Sequence, residues 1–360
     1  MSSNIYDMNY EELEAQLTQW GEPAYRARQV WDGLYQQLYS TPDQFTSLSK
    51  AFRQALTENF SSSTESTQPA LTALHPVKKL VASDGETVKT LFNLHDHRQV
   101  EAVLMRYEKR RTLCISTQAG CAMGCVFCAT GQMGFKRDLS SGEIVEQVLF
   151  YARQLAQDHE QVTNIVVMGM GEPFHNYEAT MQAIHTLNDP HGFNLGARRF
   201  TISTVGLIPG IQRFTAEHSQ VNLAISLHAA DDDLRSQLLP INHKYPLDRL
   251  FAACLEYVQT THRRLSFEWA LIQGVNDTPE QARLLAHRLI NLRVKGSSLC
   301  HVNLIPLNPT GKYSGHASPH SSAVAFKQVL DEAGIACTIR LRRGVEIQAG
   351  CGQLASNLAN

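Results

Sequence analysis

The sequence predicts an α/β protein, a parallel partial (β/α)6 barrel preceded by a small helical domain. Three observations carry that expectation. From residue 111 onward short β-branched runs alternate with longer helical patterns, which is how parallel βαβ units read in a sequence. Polar or glycine motifs recur at the C-terminal ends of successive runs, where the βα loops of such a barrel gather functional groups. Near residue 65 the texture changes, from helical periodicity to the Ser- and Thr-rich SSSTESTQPA and then to hairpin-like runs.

Residues 1–65 read as the helical domain. Leu13, Leu17 and Trp20, then Ala27, Val30, Trp31 and Leu34, recur at helical spacing, and Gly-Glu-Pro at 21–23 separates two helices. Residues 66–106 read as linker and hairpins, with the short runs KLVAS, TVKTLFNL and VEAVLMRY. Residues 107–342 carry six strand–helix units. The expected strands are TLCIST (112–117), NIVVMG (164–169), RFTIST (199–204), NLAISL (222–227), LSFEWAL (265–271) and HVNLIP (301–306), with helical patterns such as EIVEQVLFYARQLA and LDRLFAACLEYV between them. A cysteine-rich loop follows the first strand and Gly169-Met170-Gly171-Glu172-Pro173 the second. The third ends in Ser203-Thr204-Val205-Gly206, the fourth in Ser226-Leu227-His228 and the sixth in Pro306-Leu307-Asn308-Pro309. Residues 343–360 remain as a tail.

Composition narrows the classes. A chain of 360 residues can bury a large core. Its first twenty residues are too acidic and polar for a signal peptide, and no later apolar run is long enough to span a bilayer, so the expectation is a cytoplasmic protein with no membrane partner. The formal net charge of -2 gives no general attraction for nucleic acid. Any RNA contact has to come from local basic patches, at 109–111, 198–199, 262–264 and 340–343, with Arg26, Arg28, Lys78 and Lys79 nearer the N-terminus. In a reducing compartment clustered cysteines bind metal or do chemistry rather than pair.

Four of the eight cysteines fall within CISTQAGCAMGCVFC at 114–128, and Cys121, Cys125 and Cys128 form a C-x3-C-x2-C motif. Three thiolates on a four-iron cubane leave one iron open to another ligand. The competing reading is a structural zinc completed by Cys114 or His228, although the second C-x2-C half usual for zinc is absent. Cys254, Cys300 and Cys337 lie among apolar neighbours and read as core residues.

With such a loop directly after the first strand of a six-unit barrel, the chain resembles the radical S-adenosylmethionine superfamily. The opening NIYDMNYEELEAQLTQWGEPAYRARQVWDGLY, then CISTQAGCAMGCVFCATGQMGF, VVMGMGEPFHNYE and NLAISLHAADDDLRSQLLPIN, and the closing RRGVEIQAGCGQLA narrow the resemblance to the RlmN and Cfr family of RNA adenine methyltransferases. That resemblance implies a radical S-adenosylmethionine partial barrel, an RNA-binding helical domain and a functional C-terminal tail. It implies a 4Fe-4S cluster on Cys121, Cys125 and Cys128, and S-adenosylmethionine held by Gly171, Glu172, Ser203, Ser226, Leu227, His228 and Asn308. Cys351 corresponds to a thiol that carries a methyl group, Cys114 to its resolving partner, and Glu101 to a candidate proton acceptor. The partners implied are 23S ribosomal RNA, tRNA as well, and an electron donor of the flavodoxin type, with the chain acting as a monomer.

The implied reaction is methylation of carbon 2 of an adenine in 23S ribosomal RNA, and in the adenine 37 region of tRNAs, through an S-methylcysteine and two S-adenosylmethionine per turnover. Carbon 2 is electron-poor and bears an unactivated C–H, so it does not attack an electrophilic methyl, whereas a thiolate does. The tail departs from the family pattern at Arg343-Gly344-Val345-Glu346, where a more acidic run is expected, and at Gly350. These departures leave open a Cfr-like methylation at carbon 8. Two readings of other classes stand beside it: a non-catalytic, metal-containing RNA-binding assembly factor, and a radical enzyme for a small molecule or peptide. The latter leaves the helical domain and the Cys351 tail without a role.

Overall fold

The computed structural model describes residues 4–60, 70–294 and 296–355. The expected boundary at residue 65 and its Ser- and Thr-rich segment lie outside the described residues, as do positions 356–360 of the tail. Three helices open the chain: α1 (Tyr10–Gln19), α2 (Tyr25–Tyr35) and α3 (Lys50–Phe60). A reciprocal capping box between Asn9 and Glu12 starts α1, and the Gly-Glu-Pro turn separates it from α2 as the sequence predicts. The apolar stripe of these helices, with Leu13, Leu17, Val30, Trp31 and Leu34, packs into the same core as the barrel.

Next come the antiparallel strands β1 (His75–Val81), β2 (Thr87–Asn93) and β3 (Gln99–Tyr107), then β4 (Arg110–Cys114). The two-residue strands β5 (Gln118–Ala119) and β6 (Arg137–Asp138) pair on either side of the cysteine loop and the short α4 (Ala129–Met133). Alternation then sets in: α5 (Ser141–Gln157), β7 (Asn164–Val167), α6 (Tyr177–Asn188), β8 (Phe200–Thr204), α7 (Ile208–Ala216), β9 (Asn222–Ser226), α8 (Asp232–Leu238), α9 (Leu247–Thr261) and β10 (Leu265–Leu271). After α10 (Pro279–Leu289), the segment before the last expected strand folds into a small hairpin, β11 (Arg293–Val294) with β12 (Ser297–Ser298). The chain continues through β13 (Cys300–Pro306), α11 (His320–Glu332) and β14 (Ala336–Ile339).

All six expected strands are present. The first is shorter than TLCIST, because after Cys114 the chain leaves the ladder with β3, although Ile115 and Thr117 still donate toward the β7 side, on Val166 O and Met170 O. Two features go beyond the sequence reading. β14 adds a seventh parallel strand, and the hairpins join the barrel sheet rather than standing apart from it, giving the order β1-β2-β3-β4-β7-β8-β9-β10-β13-β14. β1 and β14 are the edges of an open sheet.

The helical domain is tied to the outside of this sheet by polar contacts as well as apolar ones. Asp7 Oδ1 accepts from Gly142 N at 2.7 Å, at the start of α5, Arg153 Nη2 donates to Tyr6 Oη at 2.9 Å, and Trp31 Nε1 donates to Asp189 Oδ2 at 2.8 Å. No helix among the described residues is long and apolar enough to cross a membrane. Cys254, Cys300 and Cys337 are buried in the apolar core, as their neighbours predict.

Candidate active site

The inner face of the sheet encloses a cavity of about 1030 Å³. Eleven of the thirteen site residues expected from the sequence line it: Cys114, Cys121, Cys125, Cys128, Gly171, Glu172, Ser203, Ser226, His228, Asn308 and Cys351. Strand alternation accounts for much of this, since every second residue of β4, β8 and β10 points inward. The two exceptions are Leu227 and Glu101. The Leu227 side chain is fully buried in the core, and its N–H donates to Glu268 O on the neighbouring strand at 3.0 Å. Glu101 is buried beside the cavity rather than in its wall.

Backbone contacts fix the cysteine loop. Cys121 N donates to Gly134 O at 3.2 Å, Val126 N to Leu238 O at 3.1 Å and Cys128 N to Cys125 O at 3.2 Å. Gly120 makes the close approach possible: its φ is +76°, and a Cβ there would sit 2.0 Å from Gly134 O. Burial pushes the Cys121 thiol up to about 12, and burial with the neighbouring thiols pushes Cys125 up well above its ordinary value. Buried thiols of this kind ionise when a cationic iron draws off the proton. Among the described residues no three His, Cys, Asp or Glu side chains converge on a point that one metal ion could occupy. Three thiols from one loop on one cavity wall, Cys121, Cys125 and Cys128, are a donor set that suits three corners of a cubane.

Behind the loop lies Arg235, fully buried, whose guanidinium donates to Val205 O at 2.7 Å, Leu227 O at 3.2 Å and Asn242 Oδ1 at 2.9 Å. It ties the ends of β8 and β9 together, and burial lowers it to about 10. The remaining strand-end residues are equally committed. Glu172 accepts from Val205 N at 2.8 Å and from Phe174 N at 3.0 Å, and burial raises its carboxyl to about 7. Gly171 has φ +105°, with Gln118 Cβ 2.6 Å from where its own Cβ would be. His228 Nδ1 accepts from Ala270 N at 2.9 Å, so the ring is neutral with its other nitrogen protonated, and burial pushes it down to about 3. Its ring meets Phe127 of the cysteine loop edge-on at 5.0 Å. The Ser203 and Ser226 hydroxyls are 3.1 Å apart, and Asn308 Oδ1 is buried without a partner. A pair of hydroxyls bonded to each other and an orphaned amide oxygen suit the amino and carboxylate groups of an amino-acid ligand.

The tail crosses the open side of the barrel. Arg343 donates to Arg106 O at 3.2 Å and lies over the Tyr107 ring. Glu346 Oε1 accepts from Ser83 N at 3.1 Å. Cys351 O accepts from Asn308 Nδ2 at 3.1 Å, and Gly352 O from Ala129 N at 2.7 Å. This places Cys351 on the cavity wall, open to the cavity's water yet surrounded by protein. Burial, then the Glu268 carboxyl, raises its thiol to about 11. Cys114 faces the same space, and burial followed by the nearby Cys351 sulfur pushes its thiol up. An unexpected residue holds the loop from the other side: Lys89, buried on β2, pairs with Glu101 at 2.9 Å and donates to Gln348 O at 3.1 Å, while Glu101 Oε2 accepts from Ala355 N at 3.0 Å. The buried ion pair therefore grips the chain on both sides of Cys351. Its sequence signal is a lysine inside the run TVKTLFN, in which neighbouring residues are buried.

The basic patches that the sequence scatters are partly gathered here. Arg110, Arg198, Arg263, Arg264, Arg340, Arg342 and Arg343 all line the cavity, against two acids, Glu172 and Glu268.

Comparison with known proteins identifies the family. Residues 115–286 match the radical SAM superfamily, and residues 3–61 match the ribosomal RNA large subunit methyltransferase N-terminal domain. A probable dual-specificity RNA methyltransferase RlmN from Chloroflexus aurantiacus is 49% identical over 98% of this chain and 92% of its own length. The dual-specificity RNA methyltransferase RlmN 1 of Myxococcus xanthus is 45% identical over 99% of this chain and 95% of its own. The crystal structure of a radical SAM methyltransferase from Sphaerobacter thermophilus superposes with a TM-score of 0.91 at 48% identity, covering 98% of this chain and 99% of that one.

Proposed function

Because the chain belongs to the RlmN family of radical S-adenosylmethionine RNA methyltransferases, we propose that it methylates carbon 2 of an adenine, in 23S ribosomal RNA and in tRNA, by way of a methyl group carried on Cys351. One observation carries this reading: Cys351, from the far end of the sequence, shares a single cavity with Cys114 and the cysteine triplet.

Cys121, Cys125 and Cys128 would hold a 4Fe-4S cluster by three of its irons. When bound, the cluster and S-adenosylmethionine supply a 5'-deoxyadenosyl radical. Asn308 Oδ1, the Ser203 and Ser226 hydroxyls, and the backbone at Gly171, Glu172, Leu227 and His228 would receive the S-adenosylmethionine. The arginines of the cavity meet the RNA backbone, a role for which a chain of net charge -2 has to concentrate its cations.

Cys351 takes a methyl as thiolate from one S-adenosylmethionine. Methylated Cys351 would then present its methyl group to lose a hydrogen atom to the 5'-deoxyadenosyl radical, and the carbon radical so formed on Cys351 would add to carbon 2. Transfer of the ring proton to Glu101, and of one electron to the oxidised form of the external flavodoxin-type carrier, would restore the aromatic ring. The Cys114 thiolate then attacks the Cys351 sulfur. The carbon–sulfur bond breaks, the released carbon takes a proton, and methyladenine leaves behind a Cys114–Cys351 disulfide that an external donor of the flavodoxin type reduces.

Mass spectrometry of ribosomal RNA and tRNA from a strain lacking the gene tests the reading. Loss of 2-methyladenosine, restored by complementation, is expected. RNA with its 2-methyladenosine unchanged would refute the assignment, and loss of 8-methyladenosine instead would move the chemistry to carbon 8.

A further inference from the structure

One polar patch of the cavity has no part in that scheme. Glu268 stands in the middle of β10, in register with Ser226 of β9 on one side and Asn303 of β13 on the other. Alternation along β10 sends Ser266, Glu268 and Ala270 to the cavity, and Asn303 lines it as well. Both side chains are more than nine-tenths buried. Asn303 Nδ2 donates to Glu268 Oε1 at 2.8 Å, while Asn303 Oδ1 is buried with no partner. Among the described residues the Glu268 carboxyl has that one hydrogen bond and no ion pair. A buried acceptor left unmatched in a cavity wall points to a donor that arrives with a ligand. Burial also raises the Glu268 carboxyl, against the Asn303 amide and Arg340, toward its neutral form. The patch shares the cavity with Cys351, whose thiol feels the Glu268 carboxyl as a charged neighbour.

We propose that Glu268 and Asn303 read the Watson–Crick edge of the target adenine, an inference that rests on the RNA methyltransferase reading above. That edge carries an amino donor, N6, beside a ring acceptor, N1. A neutral carboxyl gives its O–H to N1 and accepts one N6 hydrogen on its other oxygen. Asn303 Oδ1, whose amide nitrogen is already committed to Glu268, accepts the second. Guanine would set its O6 against Asn303 Oδ1 and leave two acceptors facing each other. Carbon 2 adjoins N1, so a base held by this edge keeps carbon 2 beside Glu268, in the cavity that Cys351 also lines, and leaves carbon 8 on the far ring. A site built to bond an N–H rejects the analogue that lacks it strongly, because its own buried groups are then left unpaired.

The adenine of S-adenosylmethionine has the same edge, and the test separates the two. Two RNA fragments are compared that span the adenine identified by mass spectrometry, identical except that one carries purine, without the amino group, at that position. Anaerobically reconstituted wild type, Glu268→Ala, Glu268→Gln and Asn303→Ala are each assayed for methylation of both RNAs, for affinity for both by fluorescence anisotropy, for S-adenosylmethionine affinity and for iron content. Wild type is expected to favour adenine by about 10- to 100-fold. Glu268→Ala and Asn303→Ala should lose most of that preference with iron content and S-adenosylmethionine affinity retained, and Glu268→Gln, whose amide keeps one donor and one acceptor, should restore it. An unchanged adenine-to-purine ratio in both alanine variants overturns the proposal. So does a preference that persists while S-adenosylmethionine affinity falls, which would assign the edge to the cosubstrate's own adenine. Methylation of neither RNA by wild type is a different failure, that of the function itself, and it takes the inference with it.

Discussion

The cysteine loop and the C-terminal tail meet across one cavity but are held in opposite ways. The loop is anchored largely by backbone: Cys121 on Gly134, Val126 on Leu238, and a glycine that tolerates no side chain. The tail has no helix or strand among its described residues, and side chains borrowed from elsewhere carry much of its attachment, chiefly Asn308, Lys89, Glu101 and Ser83. A group that holds an inorganic cluster has one geometry to keep. A thiol that first accepts a methyl and then delivers it has to meet two partners, and a segment latched by a few side-chain bonds can shift where a backbone ladder cannot. The difference separates holding from handing over, and substitutions on the two sides should fail differently.

The largest effect belongs to the loop. Cys125→Ala removes one of three thiolates, and no other side chain at that place can replace it. Anaerobically reconstituted Cys125→Ala should lose both the cluster, read by iron and sulfide analysis and by absorbance, and all methylation. A redox-active cluster of ordinary iron content in that variant would disprove the ligand assignment.

On the tail side the two isolated thiols should both abolish turnover while leaving the cluster in place, yet stop at different steps. Cys351→Ala has nowhere to put the methyl, so no RNA adduct forms. Cys114→Ala still allows methyl transfer, hydrogen removal and addition to the base, but lacks the thiol that breaks the carbon–sulfur bond. Protein should therefore accumulate joined to RNA through a methylene bridge. Denaturing electrophoresis after anaerobic reaction, with and without nuclease, should show a nuclease-sensitive shift for Cys114→Ala only. Free methylated product from Cys114→Ala, or a shift in Cys351→Ala, would reverse the roles.

The same contrast explains what the sequence could and could not disclose. The loop is local: its spacing, its glycines and its place after a strand are written within a few residues. The six parallel strands are likewise legible from their β-branched runs. The joining of β3 to β4 is not, because Tyr107-Glu108-Lys109-Arg110 carries none of the Asn-Gly or Asp-Gly chemistry that marks a two-residue hairpin. β14 is short, with alternate residues exposed, and begins only where α11 has run out. Tail contacts join residues more than two hundred positions apart, as with Lys89 and Gln348, and no window of sequence contains both. Glu268 and Lys89 did leave a trace, each the one charged residue of a largely buried strand. Arg235 left none, because in DDLRSQL it reads as one more charge on an exposed helix.

The smallest of these effects tests the latch itself. Lys89→Met keeps most of the side chain's length and apolar stem but removes the charge, leaving the buried Glu101 carboxylate without its cation and Gln348 O without its donor. Breaking one partner of a buried pair costs about 3–5 kcal/mol. Here the cheapest escape is for residues 344–355 to come away from β2 and β3, not for the barrel to open. Hydrogen exchange in that segment should therefore speed up while β7 to β10 stay protected and the iron content is unchanged. Turnover should fall by about 10- to 100-fold, because Cys351 is no longer held at the cavity wall. The double variant Lys89→Met, Glu101→Gln removes the orphaned charge and lets the amide still accept from Ala355 N, so protection of the tail should largely return. Turnover should not return with it, because an amide in place of the Glu101 carboxylate cannot take the ring proton. If turnover recovers along with protection, Glu101 is a positioning residue and the proton goes elsewhere. If exchange of the tail is the same in wild type and Lys89→Met, the ion pair does not hold the tail, and the contrast with the cysteine loop rests on its other side-chain contacts, among them those of Asn308, Ser83, Thr130 and Gln353.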